Sequence, residues 1–164
     1  MISLSPLKGQ GENFVKDNYD KAEYQVEMRD GIKLYTIVYT PKDKSEEYPI
    51  LMQRTPYSIA PYGNRYRRTL SPNDKLEKDK YIFVFQDVRG KFMSEGKFMD
   101  MRPVLNSYRT PEDIDETTDT WDTVEWLINN IENNNGKVGI YGVSYPGFYT
   151  VMGSIHAHPA MKCT

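Results

Sequence analysis

The chain is predicted to be an α/β protein with a mixed, mostly parallel sheet and flanking helices, on three observations. Tyr81-Ile82-Phe83-Val84-Phe85 is an unbroken apolar run without alternation, the pattern of a strand covered on both faces. Residues 120–131 follow a helical period instead: Trp121, Val124, Leu127, Ile128 and Ile131 fall on one stripe with charges opposite. Strand-like and helix-like segments also alternate along the chain, which calls for helices packed on a sheet rather than separate layers of each type.

The elements follow in order. Residues 1–20 are polar and aperiodic, and read as an N-terminal arm. Residues 24–28 and 32–39 suit two strands joined by Arg29-Asp30-Gly31, since Asp-Gly between β-rich runs favours a tight hairpin turn. A charged loop over 41–47 leads to a short strand at 49–52. One helix is expected within 63–79, with Pro72 near one of its ends. Arg65, Arg67 and Arg68 read as a solvated helix face. After the strand at 81–85, residues 87–116 show no sustained period and carry Gly90, Gly96, Pro103 and Pro111, so a long excursion around a site is expected there. The helix at 120–131 ends in Asn133-Asn134-Asn135-Gly136, residues that tolerate a left-handed cap. A strand at 137–141 and a helix-like apolar run to residue 157 complete the order.

Composition excludes several function classes. The formal net charge is −2 with both signs interspersed, so no basic stripe for nucleic acid or anionic membrane is present. No apolar run reaches membrane-spanning length. Cys163 is the only cysteine, so neither an internal disulfide nor a cysteine-based metal site can form. Asp113, Asp115, Thr117 and Asp119 mimic the start of a calcium loop, but Thr118 and Val124 stand where a glycine and a glutamate belong. An acidic lead-in to a helix is expected instead. His156 and His158 do not share a helical face, which argues against a zinc pair. No dinucleotide or phosphate-loop glycine pattern occurs, and no cofactor is expected. With Met1 as the native start the cytoplasm is favoured; a removed export signal would instead mean a periplasmic or secreted protein.

The chemistry is concentrated in Gly142-Val143-Ser144-Tyr145-Pro146-Gly147, at the junction of the last strand and the last helix. A serine hydroxyl is a weak nucleophile and needs exposure, a base and an oxyanion site. A sharp strand-to-helix turn supplies the exposure, and the glycines two before and three after the serine let the two elements approach. Pro146 fits the first helical turn, where its missing N–H costs little. Gly153, Ser154 and Ala157 are expected to let the helix pack closely on the sheet.

This segment resembles the Gly-x-Ser-Tyr-x-Gly elbow of the X-prolyl dipeptidyl peptidase-like, cocaine esterase-type serine hydrolases. The resemblance continues through Met28-Arg29-Asp30-Gly31, Arg54-Thr55-Pro56-Tyr57, Gln86-Asp87-Val88-Arg89-Gly90 and Ser94-Glu95-Gly96. It extends over Asp115-Glu116-Thr117-Thr118-Asp119-Thr120-Trp121-Asp122 and His158-Pro159-Ala160, and so covers about residues 20–162. The acidic block at 115–119 leans toward the α-amino-acid ester hydrolases and glutaryl-type cephalosporin acylases.

The resemblance implies an α/β-hydrolase fold, with residues 21–164 as part of its catalytic domain, cut after the elbow helix. It implies Ser144 as the acylated nucleophile. Tyr145 would give one oxyanion donor through its backbone N–H, and Tyr57 the second through its hydroxyl. Asp87 and Arg89 match a loop with a structural role. The substrate would be a small ester, amide or peptide. An X-prolyl dipeptidyl peptidase and a non-catalytic interaction module on the same fold stay open as alternatives, as does a homo-oligomeric full-length form. His156 and His158 lie on or just past the elbow helix, some 18 Å along it, too far to serve as the base. The resemblance also implies that the acid and histidine of a triad lie beyond residue 164, and the chain alone is expected to be inactive.

Overall fold

The computed structural model describes residues 13–164. Ten elements follow in order: α1 (Phe14–Asn18), β1 (Tyr19–Glu27), β2 (Lys33–Pro41), β3 (Tyr48–Thr55), α2 (Asp74–Lys78), β4 (Ile82–Asp87), α3 (Glu116–Asn130), β5 (Asn134–Ile140), α4 (Tyr145–Ser154) and β6 (Met161–Cys163). One six-stranded sheet runs β1-β2-β4-β3-β5-β6. β1 and β2 pair antiparallel, as do β2 and β4, while β4, β3, β5 and β6 run parallel.

The hairpin forms as its turn residues require. Gly31 takes φ 81°, the Gly31 N–H donates to the Met28 carbonyl, and Glu27 faces Lys33 across the ladder. Most of the expected arm lies outside the described residues. Residues 13–20 differ from the expectation, because Val15 and Tyr19 are buried and draw α1 and the start of β1 onto the sheet.

β4 shows why its sequence does not alternate. Ile82 and Val84 point into the core shared with Val124, Leu127 and Ile131 of α3. Phe83 and Phe85 point the other way, into a second core with Val15, Tyr19, Ile59 and Leu70. All six β4 side chains are buried. Each face is covered, so neither needs a polar residue.

α3 begins earlier than its apolar stripe predicts. Asp115 caps it, accepting the Thr118 N–H at 2.8 Å while the Thr118 hydroxyl accepts from the Asp115 N–H at 2.8 Å. This reciprocal box starts the helix four residues before Thr120, and the first turns bury Glu116, Thr117, Asp119 and Thr120. The helix stops where Asn134 donates from its amide to the Ile128 and Ile131 carbonyls, with Asn133 at φ 58°.

Two expectations are corrected. Arg65, Arg67 and Arg68 lie in an irregular segment, not on a helix face, and the only helix within 63–79 is the five-residue α2. Arg67 lies 4.0 Å over the Phe85 ring and donates to the Ile59 carbonyl, which fixes the segment against the sheet. The elbow helix ends at Ser154, so Ala157 lies beyond it and is exposed. Gly153 packs against α3 rather than the sheet: a Cβ there would stand 2.7 Å from the Thr120 hydroxyl oxygen.

Candidate active site

Because β3, β4 and β5 are parallel, the loops that leave them rise from one edge of the sheet. These are the loop opened by Pro56-Tyr57, the excursion over 88–115, and the turn at Ser144. Carboxyl ends of parallel strands are where such sheets gather ligand-binding groups.

The turn at Ser144 is tight. Ser144 caps α4 at φ 61° and ψ −126°, a region that residues with a Cβ seldom occupy. The neighbouring chain permits no substituent at Gly142, whose Cβ would lie 2.2 Å from both the carbonyl carbon and oxygen of Pro146. The Ser144 carbonyl accepts from the Gly147 and Phe148 N–H groups at 2.9 and 3.3 Å. Its hydroxyl makes no capping bond, and the residue is exposed. The Tyr145 N–H belongs to the first turn of α4, where backbone donors have no intrahelical acceptor and the helix dipole favours negative charge.

Tyr57 stands on the loop after β3, its backbone N–H bound to the Thr55 hydroxyl at 3.0 Å. The residue is 58% exposed, and its ring meets that of Tyr145 edge-on with centroids 6.3 Å apart. Tyr145 in turn stacks on Tyr149 of the same helix at 5.3 Å and 15°. The structure thus brings two of the expected site residues, Tyr57 and Tyr145, into contact beside the third, Ser144.

Asp87 and Arg89 hold the framework. Asp87 is fully buried and accepts from the Ile59 N–H, the Tyr62 hydroxyl and the Met93 N–H at 3.2, 2.8 and 3.4 Å. It thereby ties the β3 loop to the start of the excursion. Burial outweighs these bonds and pushes its carboxyl above the usual aspartate range. Arg89 forks between Asp119 and Asp30 at 2.6 and 2.7 Å. Burial alone would depress its guanidinium, but the bonds to those carboxylates raise it further.

Sequence reasoning did not single out the next layer. Arg54, on β3 and fully buried, donates to the Gln86 side chain, the Glu116 carbonyl and the Thr120 hydroxyl at 2.8, 3.0 and 2.8 Å. Glu116 and Asp119 carboxylates lie 3.3 and 3.6 Å from its guanidinium, which sits 5.9 Å from the Tyr149 ring. Burial pushes the Glu116 carboxyl up, against the pull of Arg54. The buried acidic face of α3 is the complement of these arginines, and an arginine just after the short apolar strand expected at 49–52 was the available signal. Asp100 in the excursion, bonded to the Tyr145 hydroxyl, had no signal at all.

Neither histidine approaches the elbow serine along α4. His158 is buried beyond the helix, with Nε2 2.7 Å from Glu125 and Nδ1 accepting the Ala160 N–H at 3.0 Å, and its ring lies against Trp121. His156 is exposed at φ 54°. Asp115 and Asp113 spend their oxygens on backbone donors and the Tyr108 hydroxyl. Among the described residues no group of three or more acidic, histidine or cysteine side chains is arranged to hold a metal.

The family model of the X-Pro dipeptidyl-peptidases (S15 family) matches residues 30–164. The chain belongs to this family. It is 32% identical over 137 residues to the cocaine esterase of Rhodococcus sp. (strain MB1 Bresler), a match covering 81% of this chain and 21% of that protein. Among solved structures, an aminopeptidase from a marine sediment Thaumarchaeota archaeon is similar at 39% identity and a TM-score of 0.78. It covers 99% of this chain and 27% of its own. An α-amino acid ester hydrolase is similar at 38% identity and a TM-score of 0.76, with 97% and 28% covered. The chain therefore spans about a quarter of the length of these hydrolases, and its six-stranded, mostly parallel sheet with helices matches their α/β-hydrolase fold.

Proposed function

We propose that this member of the S15 family acts as a serine hydrolase through an acyl-enzyme on ester or amide substrates. Ser144 is the nucleophile in this reading. The single observation that carries it is the exposed serine at positive φ, set between a parallel strand and a helix N-terminus. Its Oγ attacks the substrate carbonyl carbon and gives up its proton to a base. The carbonyl oxygen takes the negative charge, and the Tyr145 N–H and Tyr57 hydroxyl donate to it. Collapse expels the alcohol or amine, which takes the proton from the base. Water then repeats the sequence in reverse roles and frees the acid.

The base is assigned to a histidine outside these 164 residues. α4 alone extends about 15 Å from Ser144, and His158 has both ring nitrogens engaged elsewhere. Residues 21–164 are accordingly read as the elbow-bearing part of a catalytic domain, inactive alone because a serine without its base retains little rate.

The full-length enzyme, treated with a fluorophosphonate, is expected to carry the adduct on Ser144, and Ser144→Ala to carry none. An unlabelled Ser144 overturns the assignment and favours an interaction module on the same fold. Tyr57→Phe is expected to lower kcat by about 100-fold, the scale of one lost oxyanion donor. Turnover of phenylglycine methyl ester over a Gly-Pro-arylamide selects the ester hydrolase reading over the dipeptidyl peptidase one.

A further inference from the structure

The excursion over 88–115 reaches back to the elbow at one place. The Tyr145 phenol donates to the Asp100 carboxylate and accepts the Met101 N–H at 3.0 Å. Met101 holds φ 45°, so the chain turns sharply there and presents both partners to one oxygen. The phenol is satisfied in both roles, which anchors the outer end of the ring.

Tyr145 needs that restraint on one side only. Its other side is held from within α4, stacked on Tyr149, which is buried near the Arg54 guanidinium. What leans on the Tyr145 ring is Tyr57, more than half exposed on a loop. An exposed tyrosine on a loop samples several rotamers unless a neighbour selects one, and misplacement of a donor by an ångström is costly to rate.

We propose that Asp100 is a positioning residue: by holding the Tyr145 hydroxyl it fixes the ring that sets the Tyr57 phenol for the oxyanion. The inference rests on the reading of Tyr57 as an oxyanion donor. Asp100 itself touches no reacting atom. It acts through two rings, from a segment 45 residues before the helix it latches. The same contact makes the excursion part of the active-site scaffold.

The test uses the full-length enzyme and phenylglycine methyl ester. Asp100→Ala is expected to lower kcat about tenfold with KM within about twofold, because orientation of a donor acts on the transition state. Asp100→Asn keeps an amide oxygen as acceptor and is expected to restore most of the loss. Tyr145→Phe should reproduce the Asp100→Ala defect. In a Tyr57→Phe background Asp100→Ala should have no further effect. Asp100 is exposed, so equal melting temperatures are expected and separate positioning from folding. Wild-type kcat in Asp100→Ala, or a loss that persists undiminished in the Tyr57→Phe background, overturns the proposal. If Tyr57→Phe alone leaves kcat unchanged, the reading of Tyr57 fails first. If Tyr57→Phe slows the enzyme and Asp100→Ala does not, the role of Asp100 alone fails.

Discussion

Gly142 lies against Pro146 so closely that a Cβ at 142 would stand 2.2 Å from the Pro146 carbonyl carbon and oxygen. The obstacle is backbone, four residues on in the same turn, and cannot rotate away as a side chain would. Closure of the strand-to-helix turn therefore depends on the missing side chain at 142. Gly142→Ala is expected to destabilise the fold by about 3 kcal/mol, the upper range for overpacking, or to prevent soluble expression. Urea unfolding of the variant checks it. A wild-type midpoint would mean the turn has room that the geometry denies.

Ser144 occupies φ 61° and ψ −126°, where a residue with a Cβ is strained and glycine is not. Ser144→Gly is therefore expected to raise stability by about 1 kcal/mol while removing the hydroxyl. Ser144→Ala keeps the strain and should leave stability near that of the wild type. Thermal melts of the two variants separate backbone strain from loss of the side chain. A melting temperature for Ser144→Gly at or below that of Ser144→Ala would count against strain at this site.

Arg89 bridges Asp30 of the hairpin turn and Asp119 of α3, and its side chain is buried. Removing Arg89 leaves Asp30 without its guanidinium and Asp119 with only the more distant Arg54, 3.6 Å away, in a poor solvent for charge. Arg89→Met is expected to cost about 3 kcal/mol. Arg89→Lys should recover little, because an ammonium cannot fork between two carboxylates as a guanidinium does. Denaturant midpoints of the two variants decide the matter: a lysine variant as stable as the wild type would show that charge alone suffices.

Asp87 gives a pH dependence with a definite sign. Burial raises its carboxyl in the folded state, so the native protein binds that proton more tightly than the unfolded chain. The associated stability is present below the ordinary aspartate value, about 3.9. It is lost as pH climbs from there through the raised folded value. Asp87→Asn cannot titrate. The stability of the wild type relative to Asp87→Asn is therefore expected to fall across that window and then level off. Unfolding of both proteins from about pH 3.5 to about pH 7 measures it. A constant difference would show that Asp87 does not titrate differently in the two states.

How much of this was legible depends on the distance over which each feature is specified. The hairpin turn at Gly31, the two-faced burial of β4, the α3 stripe and the turn at Ser144 were readable because each is set by residues within a few positions of one another. The ends of α3 were misjudged at the start. Its first turn buries acids and threonines rather than apolar residues, and periodicity registers only the latter. Arg67 was misread for a related reason: a guanidinium lying on Phe85 has the same composition as one in water.

The sequence by itself determined the order of elements from the hairpin to the elbow helix, the parallel sheet and the glycine-flanked serine, because local backbone preference and hydrophobic period act between near neighbours. Only the tertiary structure decided which partners the buried arginines take and what rests on what around Ser144. Arg89 meets Asp30 from 59 residues away, and Tyr145 meets Asp100 from 45. Contacts of that kind follow from strand order and loop path, which place distant side chains together without leaving any spacing in the chain to read.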